Sequence, residues 1–332
     1  MKNKEIISVG VIGAGGFIGQ DHLKRLSTVI EGVNIEMLYD LNTEKCTELA
    51  NKYHARVASS AEALIADPQV DAVLITAWDG VHADLTLKCI AARKPVFCEK
   101  PLATTIEDCK KIVEAEKEAG ETLVQVGFMR RFDADYRKMK EILKSGELGA
   151  PIMAHCISRT PRIAPGFTDP IQITNIVIHE IDLFRWMLDE ELVRGQVHFS
   201  RSTGFAESGL HDPQLVLMWS ESGVLIDVES SANSYYGYEI GCEIVCEKGT
   251  LRLPVPAAPI VRSRLQCAVP VMDDWSERFP DAYKNELQHW IDYLRGRTNQ
   301  PGPGTQDGYA ACVTADALIR SQQTGNTESI VL

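Results

Sequence analysis

Two residues of this chain could perform acid–base chemistry together: Lys100, in Val96-Phe97-Cys98-Glu99-Lys100-Pro101-Leu102, and His179, in Ile178-His179-Glu180-Ile181-Asp182. A lysine ammonium can hold an oxygen and stabilise negative charge developing on it, and an imidazole can accept a proton near neutral pH. Alone, each is a weak signal. A lysine serves as readily in a salt bridge, and a histidine in an apolar helix serves as readily as a satisfied core residue. They gain meaning from a third feature, Gly13-Ala14-Gly15-Gly16-Phe17-Ile18-Gly19, which lies between an apolar run and a helical pattern. Glycines in that context permit a tight turn and close backbone approach to a pyrophosphate, which the helix N-terminus then faces. A proton acceptor, a cation and a hydride acceptor brought together oxidise alcohols.

The glycine spacing is irregular. Gly13 and Gly15 begin GxGxxG, but the third position holds Ile18 and Gly19 follows one residue late. Asp40 closes the second apolar run about 20 residues further on, where a carboxylate accepts hydrogen bonds from an adenosine ribose and repels a 2′-phosphate. No basic residue appears after it before Lys45. This favours NAD over NADP; Asp40 could also cap the following helix. The same glycines fit GxxGxxG, and Tyr136-Arg137-Lys138-Met139-Lys140 supplies the YxxxK spacing of short-chain dehydrogenases. That family needs a catalytic serine on the preceding strand. Here that strand reads Val124-Gln125-Val126-Gly127 without one, so Tyr136 and Lys140 read as packing and solvent residues of an amphipathic helix.

These groups must be positioned by alternating elements. Apolar runs at 6–12, 35–39, 72–76, 95–98 and 122–126 read as strands, with helical patterns near 17–30, 43–53, 60–66, 82–92 and 105–119. Continuous apolar strands separated by helices predict a parallel sheet covered on both faces. Beyond residue 127 the pattern changes to strands near 151–158, 196–200, 214–220, 224–231, 240–247 and 250–253, with hairpin signals at Ser220-Glu221-Ser222-Gly223 and Glu247-Lys248-Gly249-Thr250. Helices are expected at 133–145, 177–188, 281–296 and 306–323. The fold class is therefore an α/β domain (1–127) followed by an α+β domain (128–332) with a large, mostly antiparallel open sheet.

Composition excludes several functions. With 45% hydrophobic and 24% charged residues the chain is globular, and its net charge of −12 with no polybasic run argues against nucleic acid. No stretch has the apolar length of a membrane span. The opening Met1-Lys2-Asn3-Lys4, followed by a short apolar run, mimics a secretory signal but lacks a clear cleavage site. Nine scattered cysteines, none spaced CxxC, read as buried free thiols in a reducing cytoplasm rather than as disulfides or a metal site. Cys242 and Cys246 fall on one face of an alternating strand.

Taken in order, the glycine loop, the strand end Thr76-Ala77-Trp78-Asp79-Gly80-Val81-His82, Glu99-Lys100-Pro101, Gly127-Phe128-Met129-Arg130-Arg131-Phe132-Asp133 and His179-Glu180-Ile181-Asp182 closely resemble the glucose–fructose oxidoreductase/inositol dehydrogenase (Gfo/Idh/MocA) family over nearly the full length. Asp212-Pro213-Gln214-Leu215-Val216 and Tyr236-Gly237-Tyr238-Glu239-Ile240 resemble its inositol 2-dehydrogenase branch. The resemblance implies an NAD-binding Rossmann domain, with cofactor contacts from Gly13, Gly15, Gly16, Phe17, Ile18, Asp40, Ala77, Trp78, His82, Glu99, Lys100 and Pro101, the last in a cis peptide. It implies Lys100 and His179 around a reacting ring hydroxyl of a cyclitol or sugar, myo-inositol foremost, and leaves open which is the formal base. Arg130, Asp182 and Tyr236 are its candidates for the other hydroxyls; Asp182 could instead orient His179, and Arg131 reads as an ion-pair partner. It further implies a homotetramer or dimer, as does a broad sheet whose free face needs cover. One departure stands in the site: Asn175, four residues before His179, occupies a position where the family usually carries an acid. Asparagine keeps the hydrogen-bonding shape without the charge. That suits another inositol isomer, an aldose or a glycoside oxidised at C1 or C3, or a catalytically weakened NAD- or sugar-binding regulator.

Overall fold

A computed structural model describes residues 4–332, so that of the opening Met1-Lys2-Asn3-Lys4 run the first three lie outside the described residues. The chain forms two compact units, one of residues up to Met129 with Tyr283–Cys312, the other of Arg130–Ala282 with Val313–Leu332.

In the first unit, β1 (Ile7–Ile12), α1 (Phe17–Thr28), β2 (Val33–Tyr39), α2 (Thr43–Tyr53), β3 (Arg56–Val57), α3 (Ala61–Ala66), β4 (Ala72–Ile75), α4 (His82–Ala91), β5 (Val96–Cys98), α5 (Ile106–Ala119) and β6 (Val124–Val126) follow one another. Their strands form one parallel sheet in the order β3-β2-β1-β4-β5-β6, reversing direction of growth at β1/β4. Strands β4, β5 and β6 are buried along their length, which is why they read as unbroken apolar runs. Register then does the positioning. Tyr39 pairs with Ile12, Ile12 with Ile75, Ile75 with Cys98 and Cys98 with Val126. The residues that follow (Asp40, Gly13, Thr76, Glu99 and Gly127) therefore all leave the sheet at one carboxyl edge.

The sequential division at 127/128 is refined by a return of the chain. Leu287, Trp290, Ile291 and Leu294 bury in the same core as Ile7, Val9, Leu23 and Phe97, with the Phe97 and Trp290 rings edge to face at 5.6 Å. Each such side chain contributes roughly 1.5–3 kcal/mol on burial.

The second unit contains α6 (Ala134–Ser145), β7 (Pro151–Arg159), a short α7 (Asp169–Ile171), α8 (Ile178–Leu188), β8 (Leu192–Phe199), β9 (Gln214–Ser220), β10 (Leu225–Ser231), β11 (Glu239–Cys246), β12 (Gly249–Arg252), a hairpin of β13 (Val261–Ser263) and β14 (Gln266–Ala268), and α9 (Trp275–Arg278). Helices α10 (Pro280–Leu294) and α11 (Thr305–Thr324) and strand β15 (Glu328–Ser329) complete the chain. The main sheet runs β12-β11-β7-β10-β9-β8-β15, with only β7 and β10 parallel among its pairs. Both hairpin signals join paired strands, β9–β10 and β11–β12. Burial alternates strictly along β11, with Cys242 and Cys246 both on the covered face. One insertion escaped the periodicity: Gln172–Val177 is π-helical and leads straight into α8.

Candidate active site

The dinucleotide loop occupies the β1–α1 turn. Gly13 has φ +83°, and a Cβ there would come within 2.5 Å of the Ala77 backbone, so only glycine fits. Gly19 lies in the first turn of α1, where a Cβ would collide with the Gly13 carbonyl. The register is thereby fixed: Gly19, not the residue at Ile18, is the glycine that lets helix and strand close together, and the turn is one residue longer than GxGxxG. Gly16 is the N-cap and makes no side-chain cap bond, so the N-terminal N–H groups of α1 are directed at whatever meets the turn. Asp40 stands beside this turn, its Oδ2 accepting from Gly15 N–H at 2.7 Å and its Oδ1 from Asn42 N–H at 2.8 Å. The cap of α2 is Asn42, which accepts from Lys45 N–H, rather than Asp40. The Lys45 ammonium is engaged by Glu48 at 3.0 Å. A carboxylate beside the turn, with the Lys45 ammonium engaged elsewhere, fits a ribose diol, so the residues present suit NAD. Phe17 and Trp78 put large exposed side chains, 66% and 77% accessible, beside the same edge.

At the β5 end, the Lys100–Pro101 peptide is cis. Glu99 is buried; its Oε1 lies 2.7 Å from His22 Nε2 and its Oε2 accepts from Lys100 N–H at 3.2 Å. His82 is almost fully buried, with Nδ1 2.7 Å from the Pro101 carbonyl and Nε2 2.9 Å from the Ala77 carbonyl. Burial opposes its charge, but the adjacent Cys98 thiol and those two carbonyls outweigh it and push the pKa up to about 10. His82 thus spends both ring nitrogens on the backbone, at the sheet edge where the sequence places cofactor contacts. Sequence reading missed His22 altogether. Its signal was present: a polar residue on the buried stripe Gly19, His22, Leu23, Leu26 of α1.

The second unit supplies the other candidates. Asn175 is exposed in the π-helical segment, and His179, half-buried, follows one turn later at the start of α8. A π-helical turn inside a helix is frequent at functional sites. Arg130, expected to meet hydroxyls, is buried. Its guanidinium donates to Glu180, lies 3.4 Å from Ser158 Oγ and sits over the Phe279 ring. Burial works against both charges, raising the Glu180 carboxyl, while Glu180 holds the guanidinium above its usual range. Asp182, also buried, accepts from Arg131 Nε at 2.9 Å and Nη2 at 2.5 Å. Arg131 is the ion-pair partner expected, though a largely buried one. The Tyr236 hydroxyl donates to Glu239 and accepts from Arg159 at 2.9 Å. All three candidates for substrate hydroxyls therefore have protein partners. Tyr136 is buried, which raises its phenol well above the usual range, and Lys140 is buried against Asp189 and the Trp186 carbonyl rather than solvated. Neither has the setting of a YxxxK pair.

Comparison with known proteins agrees with this geometry. Residues 7–128 match the oxidoreductase family with an NAD-binding Rossmann fold (Gfo/Idh/MocA), and residues 136–252 match the C-terminal domain of that family. Inositol 2-dehydrogenase of Serratia proteamaculans is 44% identical over 329 residues, covering 98% of this chain and 97% of the relative. Inositol 2-dehydrogenase 3 of Saccharopolyspora erythraea is 44% identical over 326 residues, covering 98% and 96%. The crystal structure of myo-inositol dehydrogenase from Lactobacillus casei, in complex with NAD(H) and myo-inositol, superposes with a TM-score of 0.95 at 36% identity, covering 98% and 97%. The scyllo-inositol dehydrogenase of the same organism has the same fold, TM-score 0.90 at 22% identity over 98% and 99%, so fold alone does not choose an isomer.

Proposed function

The chain belongs to the Gfo/Idh/MocA oxidoreductase family, and on that premise we propose that it is an NAD-dependent dehydrogenase oxidising a secondary ring hydroxyl of a cyclitol to the ketone, with myo-inositol giving 2-keto-myo-inositol as the leading reaction. What carries the reading is the 44% identity to inositol 2-dehydrogenases over essentially the whole chain, joined to Lys100 at the carboxyl edge of the dinucleotide sheet.

In this reading the glycine loop and the α1 N-terminus receive the pyrophosphate, and Asp40 takes the adenosine ribose in place of the Gly15 N–H. Bound NAD⁺ supplies the acceptor for the hydride that leaves the carbinol carbon. Lys100 donates to the reacting oxygen and stabilises alkoxide character as the C–H bond weakens. His179 takes the hydroxyl proton and releases it to solvent, so alcohol and NAD⁺ give ketone, NADH and one proton. Arg130 and Asp182 act indirectly, through ion pairs that hold α8 and hence His179. Product identification tests this: incubation with NAD⁺ and myo-inositol yields one ketone per NADH formed, whereas no NADH with inositols, aldoses or glycosides contradicts it.

Asn175 supports a second reading on the same scaffold, oxidation of another inositol isomer, an aldose or a glycoside. Asn175→Asp separates them: a large gain with myo-inositol means the native residue tunes the site away from it, and a loss means asparagine serves it. The regulatory alternative loses ground to the near-full-length relatedness to named dehydrogenases. The broad sheet leaves Leu215 and Val193 more than a third exposed on its strands, and we read it as the contact face of a homotetramer or dimer, to be checked by light scattering. The nine free thiols, seven of them buried, fit residence in a reducing cytoplasm.

A further inference from the structure

A lysine that must meet one hydroxyl oxygen is only as useful as its backbone is fixed, since a displacement of about 1 Å can cost on the order of 10²-fold in rate. Lys100 follows the last ladder bond of its strand, from the Glu99 N–H to the Ile75 carbonyl at 3.0 Å, so the ladder itself does not reach it. Two buried histidines from different helices do.

On one side, His22 of α1 is fully buried. Its ring lies edge to face with Phe97 at 6.1 Å and tilted against Tyr283 at 5.8 Å. Its Nε2–H is aimed at Glu99 Oε1, 2.7 Å away, and the other oxygen of that carboxylate receives the Lys100 N–H. The carboxylate fits because residue 127 is glycine: a Cβ there would come within 2.8 Å of Glu99 Oε2. On the other side, His82 joins the Pro101 carbonyl to the Ala77 carbonyl, which belongs to the turn after β4. Both acceptors are carbonyl oxygens, so both ring nitrogens must carry protons to satisfy them. Every one of these bonds lies within the first unit.

We propose that His22 and His82 are positioning residues that grip the Glu99-Lys100-Pro101 turn from two sides, His22 through Glu99 to the Lys100 N–H and His82 through the Pro101 carbonyl, and so set where the Lys100 ammonium meets the substrate. The proposal rests on the reading of Lys100 as the residue that touches the reacting hydroxyl. Neither histidine contacts substrate in it.

The test uses the full-length protein with NAD⁺ and myo-inositol, comparing wild type, His22→Leu, His22→Gln and His82→Gln. A glutamine amide at position 22 can still donate to Glu99, whereas leucine cannot, and glutamine at position 82 can serve only one of the two carbonyls with its amide N–H. The expected result is a fall in kcat of at least about tenfold for His22→Leu and His82→Gln, with kcat of His22→Gln restored to within about threefold of wild type. The NADH Kd, read by nucleotide fluorescence, stays within about threefold throughout, because the phosphate and ribose contacts are untouched. Folded His22→Leu and His82→Gln proteins with wild-type kcat overturn the proposal. So does a loss of NADH affinity as large as the loss of kcat, which would make the histidines cofactor-site residues. If His22→Leu does not fold, His82→Gln decides by the same readings from the opposite side of the turn. Wild-type protein that reduces no NAD⁺ with any cyclitol or sugar overturns the dehydrogenase reading and this inference with it, a result distinct from an active wild type with unaltered variants.

Discussion

The turn at Glu99-Lys100-Pro101 and the pair Arg130-Arg131 both carry charged side chains and differ in what their partners are. Around the turn, buried side chains end on main chain: His82 on two carbonyls, and Glu99, itself paired with the His22 ring, on the Lys100 N–H. Around the arginines, side chain meets side chain, Arg130 with Glu180 and Arg131 with Asp182, both on α8. The first arrangement fixes a stretch of backbone; the second fastens a helix by opposite charge. Charged and polar side chains therefore divide into those that fix a backbone turn and those that hold a helix, and hydrogen-bond partners decide which is which.

Lys100→Met should break the first region most severely. A fall in kcat of about 10²–10⁴-fold is expected, with unchanged circular dichroism and NADH affinity. In the second region Arg130→Met should appear in stability before kinetics. It strands the Glu180 carboxylate in the interior, a loss of about 3–5 kcal/mol in urea denaturation, most of which the pair Arg130→Met with Glu180→Leu recovers. A substrate-binding arginine would instead raise KM at unaltered stability. Asp40→Ala should raise the KM for NAD⁺ by roughly 10-fold or more through loss of charge-assisted bonds to the ribose, and narrow the preference over NADP⁺.

The smallest expected effect is one of pH. The folded pKa of His82, about 10, lies above the ordinary histidine value of 6.5. Between these values the folded state binds the extra proton, so this stabilisation is complete below pH 6.5 and is lost as pH rises through about 10. Melting temperature should therefore decline over that window more steeply in wild type than in His82→Gln. Equal slopes would mean the ring is neutral and one carbonyl lacks its donor.

Much of this was legible in the sequence. Buried parallel strands give unbroken apolar runs, and the positive φ at Gly13 admits little but glycine, so the first unit's order and edge could be read directly. The π-helical segment before α8 was not legible, because one wider turn leaves no period in a short apolar stretch. Nor was the home of residues 283–294: an amphipathic pattern reveals that a face is buried, not against which core. The protein partners of Arg130, Asp182 and His82 were not legible either. Position in a motif brings a polar residue near a site, but neighbours such as Glu180, Arg131 and the Pro101 carbonyl determine what it has left to offer.

A crystal structure of the protein with NADH and myo-inositol examines the central claim most directly. Lys100 Nζ and a ring nitrogen of His179 should both lie at about 3 Å from one and the same hydroxyl oxygen, on the carbon that faces the nicotinamide. Lys100 and His179 on different hydroxyls, or either turned away from the nicotinamide, would contradict the account.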